Sequence, residues 1–205
     1  TPEVFRRFAA GEALDGIRGT ARLLGKKAAE GFDPGDRYLT LPSYEETLAD
    51  RDALMTSTKM IEAEMNPFGG RGLIQRYGDR LLVIEPPPEP LESAELDRVH
   101  ELPYARRPHP KYRGRIPAFE TIKDSIQAVR GCPGGCAFCG LVAHQGRHVM
   151  SRSEDSIWRE ADAISRMPFF KGTISDVGGA AGNIYGSRYN LEKCARCKRS
   201  SCLFP

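Results

Sequence analysis

Long apolar runs are missing from this chain of 205 residues. The stretch Leu81–Ile84 is only four residues long, whereas a membrane-spanning helix needs about 20. The first residues, Thr1–Arg7, hold no apolar signal core and no initiator methionine, so the chain is expected to begin part-way through a longer protein. A large charge of one sign is missing too. The 30 Lys and Arg against 27 Asp and Glu leave a net charge of +3, too small by itself to imply a nucleic-acid or membrane partner. Cysteine is absent from the first 131 residues. The six that follow stand in two groups of three, which is not how a disulfide framework is usually spread. With no secretory signal, such clusters point to metal ligands in a reducing compartment, and the expected location is the cytoplasm.

What is present reads as a folded protein. Hydrophobic residues make up 40% and charged residues 28%, and the 21 Gly and 15 Pro mark many loops without reaching a disordered composition. Leu14, Ile17, Ala21, Leu24 and Ala28 recur at helical spacing and predict an amphipathic helix over Leu14–Glu30. Phe32–Asp36 is a break. Ser43 with Glu45 and Glu46 resembles a helix start, and one helix is expected over Tyr44–Met65, ended by Asn66–Gly70. Leu73–Tyr77 and Arg80–Ile84 read as strands joined by a Gly78-Asp79 turn. The extended spacer Glu85–Pro90 is taken as a boundary. Leu91–Val99 is a short acidic helix, and Pro103–Pro117 an irregular basic connector.

After Pro117 the pattern becomes strand, helix, strand. Asp124–Val129 reads as a strand running into the glycine-rich loop Arg130–Cys139. A helix opens at Ser153 or Asp155 and runs to about Arg166, with Ile157, Ala161 and Ile164 inward. Gly172–Val177 is the second strand, ending in Gly178-Gly179-Ala180. This order is a βαβ unit, with the cysteine loop at the carboxyl end of its first strand, where α/β barrels keep their chemistry.

Cys132, Cys136 and Cys139 lie within eight residues and can hold three corners of one iron–sulfur cluster. Gly134 and Gly135 let the loop fold tightly around an inorganic core. Three thiolates leave one iron of a [4Fe–4S] cube open. The spacing Cys132-x3-Cys136-x2-Cys139, with the aromatic Phe138 before the last cysteine, resembles the signature of the radical S-adenosylmethionine (SAM) superfamily. The wider stretch Leu102–Pro205 resembles its YgiQ family, in the segments Leu102–Tyr104, Arg107–Pro110, Arg130–Cys132, Ser151–Ser156, Ser175–Gly179 and Arg199–Cys202.

The resemblance implies an enzyme with two cofactors, a [4Fe–4S] cluster and SAM. The open iron would chelate the SAM amino and carboxylate groups, and one electron would cleave the sulfonium bond to a 5′-deoxyadenosyl radical. A flavodoxin-like or ferredoxin-like electron donor is implied as a partner. The substrate is not fixed by the resemblance. Phe138 would lie near the adenine. Gly178 and Gly179 match a Gly-Gly-Glu motif that meets the SAM amino group. Ala180 stands where the acid would be, and Asp176 is the substitute this sequence offers.

The alternative for the first group is a structural zinc site completed by His144 or His148, although zinc sites more often use two separated cysteine pairs. A non-catalytic iron–sulfur module is a further alternative. The second group, Cys194-x2-Cys197-x4-Cys202, is a second candidate metal site, for zinc or an auxiliary cluster. The resemblance implies that a further cysteine follows it.

Tyr104–Arg115 holds five cations and two tyrosines, a pattern that suits phosphates and bases. The acidic flanks Glu92, Glu95, Asp97 and Glu101 reduce its field, and a connector packed on the barrel is the favoured reading over a nucleic-acid contact. The fold class read from the whole is α/β: an incomplete radical SAM (β/α) barrel, represented by its first βαβ unit, preceded by part of an α/β N-terminal domain. Residues 1–90 are read as the end of that domain, 91–117 as the connector and 118–205 as the start of the barrel. A closed (β/α)8 barrel takes roughly 250 residues, so activity is not expected from this chain alone.

Overall fold

Strands β3 (Gly72–Tyr77) and β4 (Arg80–Ile84) form the expected hairpin. Gly78 takes a φ of 58° at its turn, a conformation that glycine adopts without a Cβ penalty. The computed structural model describes residues 2–199 and 201–203. Ser200, inside the Arg199–Cys202 segment singled out above, lies outside the described residues, as do Thr1, Phe204 and Pro205. The described residues divide into two compact units, one of residues 2–89 with 190–199 and 201–203, the other of Pro90–Tyr189.

In the first unit, α1 spans Pro2–Ala9, and β1 (Ala21–Leu24), β2 (Tyr38–Thr40), β3 and β4 form one sheet in the order β1-β4-β3-β2. Strand β1 runs antiparallel to β4 and β2 parallel to β3. Helix α2 (Lys26–Glu30) sets Ala29 against Ile74, Leu81 and Val83, with Leu24, Phe32 and Tyr38 around them. Full burial of a residue such as Val83, 0% exposed, is worth about 1.5–3 kcal/mol.

Of the helix expected over Leu14–Glu30, only the last part, α2 (Lys26–Glu30), forms. Gly16 and Gly19 take φ of 71° and 75°, which no right-handed helix accommodates. Gly19 also sits so close to Pro88 that a Cβ would fall 2.8 Å from its ring. Pairing with β4 then decides the conformation of Ala21–Leu24. The single helix expected over Tyr44–Met65 is two, α3 (Tyr44–Ala49) and α4 (Arg51–Ala63). Asp50 divides them with extended backbone, φ −130° and ψ 125°, and caps α4 by accepting from Asp52 N–H. Ser43 and Glu46 form a capping box at the start of α3.

Glu85, at the head of the proline spacer, is buried with its charge compensated. The Tyr38 hydroxyl donates to both carboxylate oxygens (2.9 and 2.8 Å), and Arg37 and Arg22 approach at 2.9 and 3.3 Å.

In the second unit, α5 (Ser93–His100) buries Leu96, and α6 spans Pro117–Ile122. The single strand expected over Asp124–Val129 is split into β5 (Ser125–Gln127) and β6 (Val129–Arg130). The break at Ala128 lets its N–H donate to Gly178 O (2.7 Å) while its carbonyl accepts from Arg152 N–H (3.0 Å). After the cysteine loop, which holds α7 (Leu141–Gln145), the chain returns through β7 (Met150–Ser151), antiparallel to β6. Helix α8 (Glu154–Ser165) starts at Ser153, whose hydroxyl accepts from Ser156 N–H at 3.2 Å. Ile164 is fully buried, and Ile157 and Ala161 are half-buried. The second expected strand is shorter than Gly172–Val177 and shifted: β8 is Asp176–Gly178, and Gly172, at φ 88°, belongs to the turn before it. Strands β5 and β8 pair in parallel, with Ser125, Ile126 and Gln127 opposite Asp176, Val177 and Gly178. The β5–α8–β8 succession is a βαβ unit. The last helix, α9 (Leu191–Ala195), belongs to the first unit.

Candidate metal and cofactor site

The first cysteine group sits on a loop closed at its base by β6 and β7. Gly131 makes that closure. Its φ is 101°, and a Cβ on it would lie 2.0 Å from the His148 carbonyl oxygen. Its N–H donates to Gln145 Oε1 (3.2 Å), and Cys132 N–H donates to Gly146 O (3.0 Å), so both ends of the loop are held by backbone and by α7. Cys139 N–H closes a turn on Cys136 O at 3.0 Å.

Cys132 is half-buried, while Cys136 and Cys139 are exposed; all three carry free thiols. The Sγ atoms of Cys132 and Cys136 each lie 3.5 Å from the point where a Cβ on Gly134 would stand. A side chain at 134 would therefore fill the space between the two thiols; glycine leaves it open. Two thiols beside a position that glycine leaves free of a side chain supply two of the three sulfur donors that an open-iron cluster requires. Among the described residues, no three His, Cys, Asp or Glu side chains converge on a single ion position.

The other expected residues fall on β8 and just after it. Asp176, Gly178, Gly179 and Ala180 share a cleft of about 300 Å³ with Ser125 and Gln127 of β5 and Leu141 and Gln145 of α7. The cysteine-loop helix thus forms one wall and the Gly178-Gly179 strand end another. Asp176 turns its carboxylate toward Gly178, with Oδ1 3.4 Å from where a Cβ of that glycine would be, and among the described residues it is the only charged one lining the cleft. Gly179 packs on β6, with the position of a Cβ 2.1 Å from Val129 Cγ2. Phe138 projects from the loop, 93% exposed.

A second, mostly apolar groove of about 670 Å³ runs beside α8 and is lined by Ile126, Val177, Ile157, Ala161 and Trp158 among others, sharing Asp176, Gly178 and Gly179 with the cleft, with Trp158 and Val177 largely exposed. The free edge of β5 is occupied by side chains. Arg106 donates to the carbonyls of Lys123 and Ser125, Arg152 donates to that of Gln127, and both guanidiniums pair with Glu160. Burial pushes the pKa of both arginines down from the ordinary value. One of the five cations of the basic connector is thus bound into the fold, while Arg107, Lys111, Arg113 and Arg115 are exposed.

His144 is exposed on α7. His148 is buried with its ring 4.6 Å from that of Tyr189, and burial pushes its pKa down, which favours the neutral imidazole. The second cysteine group lies in the first unit. Cys194 and Cys197 are half-buried and Cys202 is exposed. Burial and the neighbouring Cys197 push the Cys194 thiol up.

Sequence reasoning missed Gly131, Gln145 and Val129 as parts of the site. Gly131 carried a signal, a glycine directly before the first cysteine. Gln145 and Val129 carried none, because their roles depend on contacts across the loop and the sheet.

A UPF0313 protein of Geobacter sulfurreducens is 44% identical over 207 residues, covering 99% of this chain and 34% of the relative. A UPF0313 protein of Bradyrhizobium diazoefficiens is 42% identical over 224 residues, 99% of this chain and 33% of the relative. One from Vibrio vulnificus is 44% identical over 176 residues, 84% of this chain and 23% of the relative. The chain spans about a third or less of the length of these curated relatives. No solved structure matches. Residues 2–125 match the family described as Radical SAM N-terminal, more than half of the chain, and the chain belongs to that family.

Proposed function

We propose that this chain is part of a radical SAM enzyme in which Cys132, Cys136 and Cys139 hold a [4Fe–4S] cluster and SAM lies in the cleft between α7 and the end of β8. The observation that carries the reading is the pair of thiols flanking the space left by Gly134, on a loop whose helix walls the same cleft as Gly178 and Gly179. When bound, the cluster supplies the open iron and the electron for reductive cleavage of SAM. The residues of this chain bind and orient. Gly134 leaves room for the core, and Gly131 and Gln145 hold the loop base. Gly178 and Gly179 keep the cleft floor free of side chains, and Asp176 offers a carboxylate to the SAM amino group in place of the absent acid at Ala180. Phe138 is assigned to the adenine.

The β5–α8–β8 unit is read as the first βαβ unit of a (β/α) barrel. Its apolar groove beside α8 supports this, because right-handed crossovers in one sheet place successive helices on the same side. The finished barrel, the substrate, the flavodoxin-like or ferredoxin-like electron donor and a cytoplasmic setting are parts of the same proposal for the longer protein. No helix among the described residues is long and apolar enough to cross a membrane.

The test is electron paramagnetic resonance of the anaerobically reconstituted, dithionite-reduced chain with and without SAM. A [4Fe–4S]+ signal that shifts on adding SAM, and is lost in Cys136→Ala, is the expected result. A signal indifferent to SAM favours a non-catalytic iron–sulfur module. Stoichiometric zinc with no iron signal overturns the assignment.

A further inference from the structure

We infer that the connector Tyr104–Arg115 is a binding surface for single-stranded nucleic acid, its cations meeting phosphates and its tyrosines stacking on bases. No acidic residue stands between Glu101 and Glu120. Arg106 is spent on the fold: it holds a φ of 46°, rare for a residue with a side chain, and its guanidinium is tied to the carbonyls of Lys123 and Ser125 and to Glu160. The other four cations, Arg107, Lys111, Arg113 and Arg115, are exposed, and among the described residues no acid pairs with any of them. Elsewhere in the same unit Arg98, Arg159 and Arg166 each hold a carboxylate.

The acidic flanks, which in sequence weaken this field, are engaged in the structure. Glu101 is paired with Arg159, Glu95 with Arg98 at 3.8 Å, and Asp97 accepts from Ser153 N–H at 3.0 Å. The connector also has shape. Pro108 and Pro110 keep its backbone out of a helix. Between them His109 starts a turn, its Nδ1 accepting from Lys111 N–H (3.2 Å) and its carbonyl from Tyr112 N–H (3.0 Å).

The aromatics select the partner. Tyr104 and Tyr112 are 58% and 55% exposed, and the Lys111 ammonium lies over the Tyr112 ring at 5.0 Å. Carboxylates of an acidic protein satisfy the cations but leave both rings in water, whereas a single strand offers a phosphate for each cation and a base for each ring. Beside Tyr104 a cavity of about 650 Å³ opens, lined by His100, Arg106, Arg159 and Met167 among others. It has room for a base turned out of its strand.

The experiment is fluorescence anisotropy of the chain with a labelled, mixed-sequence single strand of about 12 nucleotides, across a salt series. The expected slope of log affinity against log salt is about −3, for four phosphates neutralised on a single strand. Arg113→Gln should lower its magnitude by about 0.7, and changing Arg107, Lys111, Arg113 and Arg115 together to Gln should remove most of it. Tyr104→Ala and Tyr112→Ala should each weaken binding about 10-fold and leave the slope unchanged, while Tyr112→Phe keeps the affinity. Lys59→Gln, on the exposed part of α4, is the control and should alter neither. All these side chains are exposed, so the variants are expected to fold. A slope that survives the fourfold change, or two Tyr→Ala variants as tight as the parent, overturns the inference. So does poly-glutamate or a duplex competing as well as the single strand, which would make the surface a contact for an acidic protein or for any polyanion. The result does not depend on whether Cys132, Cys136 and Cys139 hold a cluster.

Discussion

Gly179 lies so close to Val129 that a methyl group on its Cα would fall 2.1 Å from Val129 Cγ2. The contact joins the end of β8 to β6, the strand that delivers the cysteine loop, so one glycine sets the spacing between the two walls of the cleft. Gly179→Ala is expected to destabilise the fold by about 1–3 kcal/mol, the usual range for overpacking. Val129→Ala removes the offending methyl, leaving the backbone oxygen of Val129 at 3.2 Å from the new Cβ. The double variant should therefore regain much of the loss beyond the sum of the single changes. Urea unfolding of all four proteins measures the coupling. Strict additivity would mean that the two residues do not constrain one another.

Gly131 gives the opposite expectation. The atom in the way of a Cβ is the backbone oxygen of His148, 2.0 Å from it, and truncating a neighbouring side chain cannot relieve that. Gly131→Ala also forces a φ of 101° on a residue with a side chain, a strain of order 1–3 kcal/mol before the clash is counted. The variant is expected to bind less iron on reconstitution than Gly140→Ala, whose Cβ would meet open space. Equal iron content in the two variants would show that the base of the loop does not set its ligands.

Asp50 shows where local sequence signals ran out. The apolar spacing of Tyr44–Met65 reads as one helix, yet the chain breaks at Asp50, where the carboxylate caps α4 and the backbone is extended. Asp is an ordinary residue inside a helix pattern and a good one at a cap, and spacing alone does not separate the two uses. The same limit hid β1, whose apolar spacing suits a helix until Gly16 and Gly19 turn the chain and β4 captures it. The hairpin at Gly78-Asp79 and the Ser153 cap of α8 were legible because a turn and a cap are made by neighbours in sequence. Strand β2 and the β6–β7 closure were not, because two- and three-residue strands exist through partners distant in sequence. Of the candidate site, the cysteines and glycines announced themselves by type and spacing. The contacts that hold them, from Gln145, Val129 and Asn66, are tertiary.

The cap at Asp50 can be measured directly. Asp50→Ala removes the acceptor for Asp52 N–H and is expected to cost about 1 kcal/mol. Asp50→Ser and Asp50→Asn, which keep a side-chain oxygen, should recover most of it. If all three variants lose the same amount, the break between α3 and α4 is held by the backbone alone.

Glu64 gives the first unit a dependence on pH whose sign is fixed by its partners. The side chain is 5% exposed. Burial alone would push its pKa up, but Arg71 donates from its backbone N–H (2.7 Å) and from Nη2 (2.8 Å) and Nε (3.2 Å), and the net effect is a carboxyl held below the ordinary range. A depressed folded pKa means that the stabilisation is fully present above the unfolded value and is lost as pH falls through the folded one. Glu64→Gln keeps the shape but not the charge, and should cost about 2 kcal/mol near neutrality, the scale of hydrogen bonds to an ionised group. The gap between wild type and variant should hold from about pH 7 down to the ordinary glutamate value of about 4.3, and narrow as pH falls below it towards the depressed native value. Urea titrations at the two ends of that window decide it. A gap unchanged in acid would mean that Glu64 and Arg71 are held together by geometry rather than by charge.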